Sequence, residues 1–124
     1  MDADQELFER FVLDAYDQLP DFFKERLDNV VIVVEDWPDR ATLRHTRAKS
    51  PYGLLGFYHG VPQPVRDTNY GLVAPDKISI YRRPIETQCR TSEQLRDLIK
   101  RVLWHEVAHH FGIDDDRLEE LGAY

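Results

Sequence analysis

An α+β fold follows from three features of the sequence. Helical spacing of apolar residues marks a segment near each end, short β-branched or alternating runs lie between them, and Pro, Gly and Asp punctuate the joins. The expected architecture is a small mixed sheet of three or four strands packed against an N-terminal and a C-terminal helix. A length of 124 residues suits one core, so 1–124 is expected to form a single domain.

Leu7, Phe8, Phe11, Val12, Ala15 and Leu19 recur at three- and four-residue steps with acids between them, which predicts an amphipathic helix. Pro20 interrupts it. The stretch from Asp21 to Asp28 predicts a second short helix that places Phe22, Phe23 and Leu27 against the core, with Pro20 in its first turn. Val30 to Val34 is a wholly apolar, β-branched run without polar alternation, so it predicts a central strand covered on both faces.

From Asp36 to Gln63 the chain is rich in Pro, Gly and charge, and it reads as loop apart from an apolar island at Leu54 to Tyr58 that suits a strand. The basic stretch Arg40, Arg44, His45, Arg47 and Lys49 is expected to be a solvated part of that loop. Pro64 to Asp76 predicts a long loop. Ile78 to Tyr81 alternates apolar and polar, as a half-buried edge strand would, and Pro84 ends it. Thr91 and Gln94 form a capping box ahead of Leu95, Leu98, Ile99, Val102 and Leu103, which predicts a helix running to Gly112. Asp114 to Asp116 offer caps for a last short helix.

The net charge of -7 opposes general binding to nucleic acid or anionic lipid, because both are polyanions. Met1 to Glu6 lacks the basic start and apolar run of a secretory signal, and no apolar stretch is long enough to span a bilayer, so no membrane association and a cytoplasmic location are expected. Cys89 is the only cysteine, which rules out a disulfide within the chain and suits a packing residue.

Chemistry concentrates in His105-Glu106-Val107-Ala108-His109 on the C-terminal helix. Four helical residues turn through about 400°, so both imidazoles share one face one turn apart. Two nitrogen ligands then converge. A catalytic zinc takes three protein ligands and keeps a fourth position for water, and Glu106 adjoins the first ligand where a general base is needed. Gly112 can adopt positive φ and turn the chain back, which brings Asp115 toward the metal as third ligand. Asp114, Asp116 and Glu119 are rivals for that place, though each suits a cap or a first helical turn. His110 lies about 100° around the helix from His109 and should miss the metal. Trp104 is expected to pack, and His59, in a glycine-flanked loop, to stay clear of the site.

His105, Glu106, His109, Gly112 and Asp115 together spell HExxHxxGxxD, which resembles the extended signature of metzincin-type zincins. With Phe111 it is still more similar to small bacterial zincin-like metallopeptidases whose motif reads HExxHxFGxxD. The resemblance implies a minimal zincin-like domain with the motif on its C-terminal helix. It also implies a zinc ion held by His105, His109 and Asp115, and Glu106 as the catalytic base acting on a peptide or protein substrate. The sequence departs from metzincins in one respect: its only methionine is Met1, so no methionine-containing turn follows the motif, and nine residues follow Asp115. Tyr81 and Tyr124 are candidates for a transition-state donor, each more simply a packing aromatic.

The expected activity is metal-assisted peptide hydrolysis, with the strand at Ile78 to Tyr81 holding an extended substrate by strand addition. The chief alternative is a zinc-binding protein with a structural or interaction role and no peptidase activity. Two histidines and a carboxylate also suit ferrous iron, but Glu106 would then have no task. An interaction module built on the acidic N-terminal helix is a further alternative. Oligomeric state is not legible in the sequence.

Overall fold

The computed structural model describes residues 4–27, 29–60, 76–114, 116 and 117. Helix α1 (Gln5–Asp17) begins at Asp4, whose carboxylate accepts from the Glu6 amide at 3.1 Å, and it buries Phe8, Val12 and Ala15. Helix α2 (Asp21–Lys24) is one turn long, with Pro20 at its cap rather than inside it. Only Phe23 and Leu27 turn inward. Phe22 is 58% exposed, with the Arg26 guanidinium over its ring at 3.9 Å, which corrects its expected place in the core. A helix this short has too narrow a face to bury two adjacent aromatic rings.

Strand β1 (Val30–Glu35), strand β2 (Gly56–His59) and strand β3 (Asp76–Tyr81) form one sheet in the order β1-β3-β2. β1 runs parallel to β3 and β2 antiparallel to it, so the sheet is mixed, as expected. Two strand assignments are reversed. β3 is the central strand with both edges paired, and β1 lies at an edge with Val31 43% exposed. Strand addition on Ile78 to Tyr81 is therefore excluded, because its backbone donors and acceptors already serve its neighbours.

Helix α3 (Arg40–Thr46) occupies the stretch expected to be loop, so the basic residues sit on a helix. Asp39 caps it, accepting from the Thr42 amide at 2.7 Å, and this hydrogen bond holds the Asp39 carboxyl below its ordinary pKa. Arg47 ends it in the left-handed conformation at φ 57. A 3-10 turn at Pro51–Gly53 leads toward β2. Helix α4 (Arg82–Thr87) follows β3 directly, with Pro84 in its first turn where no amide is required. Arg82 ties it to the end of β1, its Nε donating to Asp36 at 3.0 Å while its guanidinium faces Glu86.

Helix α5 (Ser92–His110) starts as expected: Thr91 accepts from the Gln94 amide at 3.1 Å, and the Gln94 side chain accepts from the Arg90 amide at 2.8 Å. It lies across one face of the sheet beside α1, burying Leu95, Ile99, Leu103 and Val107. The indole of Trp104 donates to the Ala15 carbonyl at 3.0 Å and joins the two helices. Cys89 is buried, and burial pushes its thiol pKa up, which suits packing and not nucleophilic chemistry.

Strand alternation assigns the two faces of the sheet. Gly56, Tyr58, Asp76, Ile78 and Ile80 face α5, whereas Phe57, His59, Lys77, Ser79 and Tyr81 face the side of α3. At Gly56 helix and sheet come close together. A Cβ there would sit 2.7 Å from Val102 Cγ1, 3.1 Å from the Ser79 carbonyl oxygen and 3.4 Å from Glu106 Cγ.

Gly56→Ala is therefore expected to destabilise the protein by about 1–3 kcal/mol through overpacking. Val102 is stiff at χ1 and cannot swing aside, so the cost should fall by roughly 0.5 kcal/mol or more in a Val102→Ala background. Urea denaturation of the four proteins measures this. Equal cost in both backgrounds would show that Val102 does not set the spacing.

Candidate metal centre

His105, Glu106 and His109 come to the last turns of α5 because Leu103, Val107 and Ala108 are held in the core and fix the rotation of the helix. One potential ligand atom from each of the three lies within 4.8 Å of the others. The imidazoles are partly exposed, 4.6 Å apart between ring centroids, and Glu106 is buried between them and the sheet. His109 Nδ1 lies 3.2 Å from Glu106 Oε1. If Nδ1 carries the proton and donates it, the Nε2 lone pair of His109 is left for a metal. Two imidazoles in company with a carboxylate form a donor set that suits zinc, so the residues present fit that ion.

A cleft of about 450 Å³ opens beside the cluster. Its walls are the Gly53-to-Gly56 segment on one side and Leu98, Arg101, Val102, His105 and Glu106 of α5 on the other, with Gln88 at the rim. The absence of a side chain at Gly56 leaves Glu106 room beside the strand, so the close approach of β2 and α5 also shapes this cleft.

Helix α5 stops just beyond the cluster. The Gly112 amide donates to the His109 carbonyl at 2.9 Å and the Ile113 amide to the Ala108 carbonyl at 3.0 Å, with Gly112 at φ 81. This is the glycine-closed helix end expected from the sequence, and it reverses the chain past the histidines. Asp114 then accepts from the Arg117 amide at 2.9 Å, so it serves as a cap. Asp115, the expected third ligand, lies outside the described residues, as do Glu119 and Tyr124.

Other sequence candidates fall away from the cluster. Tyr81 is on the far face of the sheet, near Ser79 and Thr42, and burial raises its phenol pKa. A donor there points away from α5. His59 shares that face, its Nε2 3.2 Å from Ser79 Oγ and its ring edge-to-face with Phe57. Burial, then the charge of Lys77, lowers its pKa.

His110 packs as expected, but within a polar network. Its Nδ1 lies 3.1 Å from Asp76 Oδ2, and the Tyr58 hydroxyl donates to the same oxygen at 2.5 Å. All three are buried. Nothing local in the sequence pairs these positions, since Asp76 is 34 residues from His110. Arg101 on the cleft wall also escapes a reading of the sequence, although its offset of four from His105 puts both on one helical face.

Tyr58→Phe, which strips a hydrogen bond from a buried carboxylate, is expected to cost about 1–3 kcal/mol of stability while leaving metal uptake unchanged. Denaturation and zinc titration on the same preparation check both halves. Lost uptake would mean that the network is part of the metal centre and not a brace behind it.

The sequence model of the zincin-like metallopeptidase family matches residues 27–123, which takes in the sheet, the motif helix and the turn beyond it. No curated protein matches the chain. Family membership implies zinc binding and agrees with the His-Glu-His group on α5. On the length of that match and the site it contains, the chain belongs to the zincin-like metallopeptidase family.

Proposed function

We propose that the protein, acting as one domain over 1–124, is a zinc-dependent peptidase that hydrolyses peptide or protein substrates with Glu106 as general base. The observation that carries this reading is the setting of Glu106. It is buried beside both histidines yet lines the open cleft, where a scissile bond has access. A purely structural zinc site closes around its ion and has no use for a cleft or a base.

His105 and His109 would hold zinc, with Asp115 as third ligand by the spacing beyond Gly112. When bound, zinc supplies Lewis acidity, polarising the scissile carbonyl and lowering the pKa of a water to about 7. The residues of the chain do the rest. Glu106 accepts the proton of the attacking water and returns it to the departing amine, so no covalent acyl intermediate is required. Its Oε1 is near His109, which steadies the carboxylate while the other oxygen is directed to the proton in transit. The outer edge of β2, next to the cleft, takes the role of substrate guide, because it is the strand edge nearest Glu106 and lacks a partner strand among the described residues. No helix among the described residues is long and apolar enough to cross a membrane.

The protein should bind about one zinc per chain, and His105→Ala with His109→Ala should abolish uptake. Asp115→Ala should weaken binding more than Asp114→Ala, since Asp114 is engaged as a cap. Elemental analysis and chelator competition give both results. Greater loss at Asp114 would transfer the third ligand to that residue.

Glu106→Gln is nearly isosteric and should retain zinc affinity and fold. Hydrolysis should fall by about a hundredfold or more, the usual effect of losing a general base. A peptide library cleaved by wild type and variant at matched zinc occupancy measures the difference. Undiminished cleavage by the variant removes Glu106 from the chemistry, and a wild type inactive across the library favours the non-catalytic zinc protein.

A further inference from the structure

Beyond the metal cluster, the described residues put one formal charge on the cleft wall, and that charge is positive. Arg101 lies one turn before His105 on α5, in the same lining as Leu54, Leu55, Leu98 and Val102. It is exposed, and no acid among the described residues pairs with it. The nearest acid at helical spacing, Asp97, lies one turn before Arg101 but lines a separate small hollow with Phe11, Ala15 and Gln18, and no ion pair joins the two. Of the nearby cations on the sheet and α4, Arg82 and Arg83 are committed to Glu86, and Lys77 to Glu35. In a chain of net charge -7, an unmatched guanidinium on an otherwise neutral and apolar wall makes a local exception that a ligand can use.

We infer that Arg101 is a specificity-determining residue that binds a carboxylate of the substrate, an apolar residue of which lies against Leu54, Leu55 and Leu98. The inference rests on the peptidase reading for the word substrate, but the binding it describes does not. Guanidinium favours carboxylate because its planar donors match the two oxygens. Four helical residues rise about 6 Å, equal to roughly two residues of an extended chain, so the recognised group belongs about two positions from the scissile bond. Either an acidic side chain or a free C-terminus provides the same chemistry. Lysine at that position meets like charge and is rejected.

The test is calorimetric titration of zinc-loaded Glu106→Gln protein with apolar hexapeptides that carry Glu, Gln or Lys at each position in turn. Each peptide is made with a free and with an amidated C-terminus. An internal Glu that binds about tenfold tighter than Gln identifies a side-chain site. A like advantage of the free over the amidated terminus identifies a terminal one. Arg101→Met should erase the preference, and Arg101→Glu should invert it toward Lys. Equal binding of all peptides, binding of none, or a preference that survives Arg101→Met overturns the proposal. Cleavage of the same peptides by wild type is scored separately: preference without cleavage keeps the carboxylate site and removes the peptidase reading.

Discussion

The close approach of α5 to β2 at Gly56 is the constraint on which the site depends. Side chains normally separate a helix from a sheet, and at this position Val102 and the Glu106 stem fill the space that a Cβ would take. Glu106 is thereby pressed against the strand, so its carboxylate is aimed along the helix toward the histidines and not out to solvent. The contact that completes the core in this region also orients the proposed base. Core packing and site geometry cannot be varied independently here.

The same helix is held from behind by polar contacts. His110, one residue past the second histidine of the cluster, meets Asp76 at the first position of the central strand, and Tyr58 meets the same carboxylate from β2. Directional hydrogen bonds restrict the geometry of this buried contact, unlike an apolar contact that can slide by a fraction of an ångström. Together with the Trp104 contact to α1, it fixes the rotation of the last turns of α5. That rotation decides whether His105 and His109 open onto the cleft or turn into the core.

The two faces of the sheet have separate work. The α5 side carries the core and the metal cluster, whereas the α3 side carries Tyr81, Ser79 and His59 under a short basic helix. Polar side chains on the second face are paired with one another, which explains how a strand with alternating polarity is buried on both sides. It also removes Tyr81 and His59 from the chemistry, because neither can reach through the sheet. Among the described residues that line the cleft, the carboxylate and guanidinium charges are those of Glu106 and Arg101, of opposite sign, so the field along the cleft is uneven from end to end.

Local chemistry makes α5 legible from the amino-acid sequence alone. Thr91 and Gln94 cap it, apolar residues recur at its own period, and Gly112 closes it, all through partners within five residues along the chain. The fixed turn per residue then suffices to put His105 and His109 on one face with Glu106 beside them. Strand order is not legible in the same way. The alternation of Ile78 to Tyr81 shows which side chains share a face, but not whether another strand lies on each edge, and the apolar run of β1 proves compatible with an edge. Helix α3 gives little sign of itself because its apolar content is slight, and its Asp39 cap and the burial of Thr42 hold it in place. The cleft wall, the glycine contact and the Asp76 network belong to tertiary structure alone. Each joins residues far apart in sequence, and only the folded chain decides which distant surfaces meet.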